Sequence, residues 1–167
     1  MRVFIIAALS ADGFIGQHAQ HLALDWTSKE DKKLFVEKTK EAGVVVMGSR
    51  TFATFKRAFS DRRLIIYTSK PESIDVDGVE TTSETPKDLV ERLEKEGATT
   101  LAVGGGATIY KMFMESGLVD ELFLTIEPVI FGEGVPLFGG PVLSELTLVE
   151  EKRLNKNTIL LHYSVDK

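Results

Sequence analysis

The sequence predicts a single α/β domain built on a mainly parallel mixed sheet, flanked by helices on both faces and closed by a C-terminal antiparallel hairpin. Three observations predict it. Apolar runs of strand length alternate with helical stretches along most of the chain, and that alternation requires crossover connections between parallel strands. The early runs are continuously apolar, as strands covered on both faces must be. The chain then ends in two strand-like runs, about 146–153 and 158–165, around the turn Asn155-Lys156-Asn157.

The elements follow in order. Val3 to Leu9 reads as a buried strand, and a long loop from Ser10 to Trp26, with Gly13 and Gly16 as flexible points, follows it. Loops of that length inside a domain usually carry function. Ser28 can cap a helix running to about Ala42, where Gly43 stops it. Val44 to Met47 is a second buried strand, ended by Gly48, and a short helix from about Arg50 to Phe59 comes next. A strand from Leu64 to Tyr67 precedes a turn at Lys70-Pro71, and a short strand is expected near Val79 to Thr81. Thr85-Pro86 opens a third helix and Gly97 closes it, proline being suited to the first helical position. Thr100 to Val103 is a strand, then come Gly104-Gly105-Gly106 and a helix from Ala107 to Ser116. Glu121 to Pro128 is a central strand, followed by a flexible Phe131-Gly132-Glu133-Gly134 loop and the hairpin.

Composition narrows the class. The 167 residues suffice for one well-buried domain, taken as 1–167. With 43% hydrophobic and 27% charged residues, the chain resembles ordinary soluble proteins. Its net charge of -5 and lack of a basic stripe argue against nucleic acid as a partner. The absence of cysteine excludes disulfide scaffolds, thiol catalysis and cysteine-ligated zinc. His18 and His21 have a metal-like separation but no third ligand near, so no metal is expected. No Gly-x-Ser-x-Gly elbow supports a serine hydrolase. The apolar N-terminal run is strand-length and ends in a turn, and no stretch reaches the roughly 20 apolar residues of a membrane span. The expectation is a cytoplasmic protein with no membrane partner. The apolar 119–137 region and the terminal hairpin offer a surface for a homodimer.

In such a sheet, ligands bind at the carboxyl ends of the strands. Three strand ends there favour anions. Gly104, Gly105 and Gly106 open a helix whose amides and positive end suit a phosphate, though a tight, closely packed turn explains them equally well. Gly48, Ser49, Arg50 and Thr51 have the same strand-to-helix form, and Thr68, Ser69 and Lys70 add two hydroxyls and an ammonium. Together they suit a dinucleotide with an extra phosphate. Asp31 lies in the first turn of the helix after Trp26. As a bare motif, Ser28 to Asp31 reads as a capping box. The flanking Trp26 and Phe35 also make Asp31 the best candidate to hold a flat polar heterocycle.

These segments occur in the order and spacing of a known family. The chain resembles dihydrofolate reductase, and more broadly the superfamily shared with the reductase domain of riboflavin biosynthesis, from Ile5 to Val165. IAALSADGFIG is similar to the first strand and mobile active-site loop, and WTSKEDKKLF to the helix bearing the family's acid. VVMGSRTF, RRLIIYTSKP, VGGGATIY and LFLTIEP resemble the phosphate-binding, adenosine-side, paired-glycine and threonine-bearing segments. The resemblance implies an NADPH-dependent oxidoreductase acting on a small molecule. It implies Asp31 and Thr125 as the catalytic pair, with Ala8, Trp26, Phe35 and Arg62 contacting substrate. Arg62 would hold the folate tail, and Phe35 and Trp26 would wall the ring. It places the cofactor against Ala8, Ile15, Gly48 to Thr51, Thr68 to Lys70, and Gly104 to Thr108, Ala107 included. Asp31 and the short run from Phe52 to Arg62 tip the balance toward reduction of dihydrofolate. GLVDELFLTIEPVIFGEGVPLF looks more like the riboflavin-type branch, which would reduce a ribosylaminopyrimidine phosphate. A non-catalytic nucleotide-binding protein is the third reading. Ser49 and Ala107 stand where the family often has arginines, which loosens the choice of NADPH over NADH.

Overall fold

In the computed structural model, which describes residues 1–167, the apolar runs become strands and the periodic segments helices. The order is β1 (Arg2–Ser10), β2 (Phe14–Gly16), α1 (Lys29–Ala42), β3 (Val44–Gly48), α2 (Ser49–Phe52), β4 (Arg63–Tyr67) and β5 (Val79–Thr82). Then come α3 (Pro86–Lys95), β6 (Thr100–Val103), α4 (Ala107–Glu115), β7 (Glu121–Glu127), β8 (Val135–Pro136), β9 (Leu146–Arg153) and β10 (Ile159–Val165). Eight strands form one sheet in the order β5-β4-β3-β6-β1-β7-β10-β9. Neighbouring strands from β5 to β7 run parallel, and β10 lies antiparallel between β7 and β9. The parallel strands therefore end at one edge, at Ser10, Gly48, Tyr67, Thr82, Val103 and Glu127.

Strand alternation divides the core between the two faces. Ile5, Val46, Ile65 and Val103 point to the face covered by α3 and α4, where Leu89, Leu93, Ile109 and Phe113 meet them. Phe4, Ile6, Val45, Met47 and Ile66 point to the other face, against Phe52, Ala42 and the half-buried Leu34 and Phe35. Each such side chain stabilises the fold by roughly 1.5–3 kcal/mol when fully buried. The helices begin and end as their caps dictate. Ser28 Oγ accepts from the Asp31 amide at 3.2 Å, and Gly43, with φ +75°, ends α1 in the left-handed region. Thr85 caps α3 in the same way, with Pro86 at its first position.

Several boundaries differ from expectation. The Ser10–Trp26 segment contains β2 and a 3-10 turn at Ala23–Asp25, and β2 pairs with β8. Strands of two and three residues carry no periodicity, so neither was readable. The Arg50–Phe59 helix shortens to α2. The chain turns away so that Phe55 packs on Phe52 at 5.4 Å and stacks on Phe59 at 5.3 Å, and Lys56 takes φ +47°. Here aromatic packing overrides helix propensity. The Lys70-Pro71 turn continues as a 3-10 turn at Pro71–Ser73. No helix is long and apolar enough to cross a membrane.

Candidate active site

A cavity of about 740 Å³ opens along the carboxyl edge of the parallel strands. Its walls come from every segment expected to converge there: Ala8 near the end of β1, Ile15 in β2, Asp31 and Phe35 on α1, and the turns after β3, β4 and β6.

The two glycine turns stand side by side because β3 and β6 are paired. Gly48 donates its amide to the Gly105 carbonyl at 2.7 Å, and Gly104 donates to Val46 at 2.8 Å. The Gly105–Gly106 peptide is cis. Added Cβ atoms would lie 3.0 Å from the Tyr110 hydroxyl oxygen at Gly105 and 2.9 Å from Thr51 Oγ1 at Gly106. Close packing thus accounts for the glycines, and the turn still lines the cavity, so the two readings of this motif are compatible. No side chain caps α4, which leaves its first amides available to an anion. Arg50 bridges the turns by donating to Thr108 Oγ1 at 3.2 Å. Ser49, Arg50, Thr51, Thr68, Ser69, Ala107 and Thr108 all line the same wall. These donors fit a phosphorylated dinucleotide such as NADPH.

Asp31, in the first turn of α1, lines the same cavity and is half-buried. Burial pushes its carboxyl up to about 6. The Thr125 hydroxyl pulls the other way, the Glu127 carboxylate adds to the rise, and Lys32 and Thr27 oppose it. Asp31 is therefore both a helix-start acid, its amide capped by Ser28, and an ionisable wall of the cavity. One turn later, Phe35 packs edge-on against Phe59 at 6.1 Å, and the Arg62 guanidinium lies 4.5 Å from the Phe59 ring centre. Arg62 also donates to Thr39 Oγ1 at 2.5 Å and to the Ser60 carbonyl at 3.1 Å. Its partly buried guanidinium has its pKa drawn down from the ordinary value by desolvation, with Asp61 opposing.

Three expected site residues lie outside the cavity lining. Trp26 does not line the cavity. Its ring packs edge-on against Phe131 at 5.1 Å, beside His21. Lys70 is exposed and does not line the cavity, where Ser69 is the last residue of its segment. Thr125 is 1% exposed and sits behind Asp31 rather than in the wall.

The structure also adds residues that the motifs did not flag. Lys32 and Arg57 line the cavity, and Glu127 lies buried beside Asp31. Glu127 had a signal: with period two, Phe123, Thr125 and Glu127 share one face of β7, the face turned to α1. Asp12 ties the loop after β1 in place by accepting from the amides of Phe131 at 3.1 Å and Gly132 at 2.7 Å. No group of three or more histidines and carboxylates is arranged to hold a metal ion.

Residues 2–160 match the RibD C-terminal domain family. The chain belongs to that family. Among curated proteins, one relative is YwjB of Bacillus subtilis, an uncharacterized protein 25% identical over 97% of each chain. A protein of Shewanella sp. PV-4, provisionally named for riboflavin biosynthesis, superposes with a TM-score of 0.81 at 22% identity over all of both chains. Dihydrofolate reductase of Enterococcus faecalis, solved with NADP(H) and RAB-propyl, gives 0.74 at 24% identity over 99% of this chain and 97% of its own. At these identities the structural likenesses establish the shared fold. The RibD C-terminal match spans Asp31 and the short 52–62 run, the two features that tipped the sequence reading toward dihydrofolate. It favours the riboflavin-type branch instead.

Proposed function

We propose that this chain is an NADPH-dependent reductase of a ribosylaminopyrimidine phosphate, the substrate class of the riboflavin pathway. The observation that carries the proposal is one cavity lined by both the two glycine turns and the ionisable Asp31, in a chain of the RibD C-terminal domain family. NADPH supplies a hydride, which with one proton converts a ribosylamino group into a ribitylamino group.

The chain's own residues bind and orient. Arg50, Ser49, Thr51, Thr68, Ser69 and the first amides of α4 hold the phosphates of the dinucleotide. Ala8 and Ile15 meet its reactive end. Asp31, ionised above about pH 6, accepts from the N–H edge of the pyrimidine, as a carboxylate can, and Thr125 orients it. Phe35 and Phe59 wall the ring, and Arg57, Arg62 and Lys32 supply cations for the substrate phosphate. The β2–β8 loop covers the site and excludes water.

One observation favours a second reading. Asp31 backed by Thr125 is the pair that dihydrofolate reduction would use on a pterin, with water delivering the proton to N5. Steady-state NADPH oxidation with each substrate separates the two. Higher kcat/KM on the ribosylaminopyrimidine phosphate is expected, with Arg62→Leu raising its KM far more than that of the dephosphorylated compound. Turnover of dihydrofolate alone, inhibited by methotrexate, would replace the first reading by the second.

A further inference from the structure

Glu127 is a buried carboxylate that the reaction outlined above leaves unused. It ends β7 and is 2% exposed. Its Oε1 accepts from both the amide and the hydroxyl of Ser28, each at 2.8 Å, and its Oε2 accepts from the Thr158 hydroxyl at 3.1 Å. Ser28 Oγ in turn accepts from the Asp31 amide at 3.2 Å. One carboxylate thus joins the end of β7, the cap of α1 and the residue preceding β10. Burying a charge is unfavourable unless donors surround it. Three hydrogen bonds and the positive end of α1 meet that requirement.

We propose that Glu127 is a positioning residue for Asp31: it clamps the Ser28 cap to β7 and so fixes the helix turn that holds Asp31 in the cavity wall, in front of Thr125. This rests on the role assigned to Asp31 above. Thr125 and Glu127 are two positions apart on the same face of β7, so one strand both faces the acid and holds its helix. The groups that act on the Asp31 carboxyl are Glu127 on β7, Lys32 on its own helix and the hydroxyls of Thr125 and Thr27, and the Tyr110 phenol on α4 lies within its field. Glu127 is the like charge among them, and its removal eases ionisation of Asp31.

The test is a carbon-13 NMR titration of the Asp31 carboxyl in the full chain and in Glu127→Gln. Glutamine keeps an acceptor for Ser28 and removes the charge. The midpoint of Asp31 is expected to fall. An unmoved midpoint in folded Glu127→Gln overturns the proposal. Glu127→Ala, which severs the clamp, is expected to lower kcat by roughly 10- to 100-fold with NADPH affinity retained, and Glu127→Gln to recover most of that loss. A folded Glu127→Ala with wild-type kcat overturns the proposal too, and if this variant does not fold, the Glu127→Gln titration decides. The titration needs neither cofactor nor substrate. A chain that reduces nothing while the midpoint falls refutes the functional reading alone, and an active reductase with an unmoved midpoint refutes the role of Glu127 alone.

Discussion

Replacing Asp31 by asparagine removes one ionisable proton and leaves the side-chain shape unchanged. In the folded chain the carboxyl is raised from 3.8 to about 6, chiefly by burial. At about 1.4 kcal/mol per unit, this amounts to roughly 3 kcal/mol of destabilisation when the group is ionised. The sign follows from proton linkage. Between about pH 4 and 6 the folded state binds more protons than the unfolded chain, so stability falls as pH rises through that window. Below it, both states are protonated and the penalty vanishes. Asp31→Asn is therefore expected to be more stable than wild type by up to about 3 kcal/mol at pH 7, with Tm higher on the order of 5–10 °C for a chain of this size. The difference should shrink toward zero near pH 4. The same variant should lose more than about tenfold in reductase activity, some 1.4 kcal/mol of transition-state stabilisation. Urea unfolding of both proteins from pH 4 to 8 measures the first effect, and steady-state NADPH oxidation the second. A stability difference independent of pH would refute the burial argument, and full activity would refute the role of the acid.

Two further substitutions test the frame around the site. Gly105→Ala puts a side chain at φ +111° with its Cβ 3.0 Å from the Tyr110 hydroxyl oxygen. It should cost about 1–2 kcal/mol of stability and weaken NADPH binding at least about tenfold, read by calorimetric titration. Gly134→Ala drives a Cβ into the Gly16 carbonyl oxygen, where the β2–β8 pair closes. Overpacking there should cost about 1–3 kcal/mol and lower kcat, with NADPH affinity little changed. Unaltered kcat in this variant would show that the β2–β8 loop does not cover the reacting groups.

How legible the molecule is in its sequence depends on the length of each signal. Val3–Leu9, Val44–Met47 and Thr100–Val103 are continuous apolar runs, and each became a buried strand within a residue or so. The caps at Ser28 and Thr85 set α1 and α3 as read. β2 and β8 are too short for any period to appear. The Phe52–Phe59 segment looks helical locally, and only the packing of three phenylalanines turns it aside. Asp31 reads in the sequence as a helix-start acid and as a candidate anchor, and the fold places it both in the first turn of α1 and in the cavity wall. Trp26 packs on Phe131 outside the cavity lining, since flanking in sequence does not fix which side of a loop an indole packs on. Glu127 went unmarked because its partners, Ser28 and Thr158, lie far away along the chain. Within the shared fold, Asp31 alone did not separate the two substrate classes.

The most direct test of the reductase assignment follows a single atom. NADPH deuterated at C4 of the nicotinamide is incubated with the enzyme and a ribosylaminopyrimidine phosphate, and the product mass is recorded. The account predicts a ribityl product carrying one deuterium, formed at the rate of NADPH oxidation. NADPH that binds the chain yet transfers no deuterium to this substrate would contradict it.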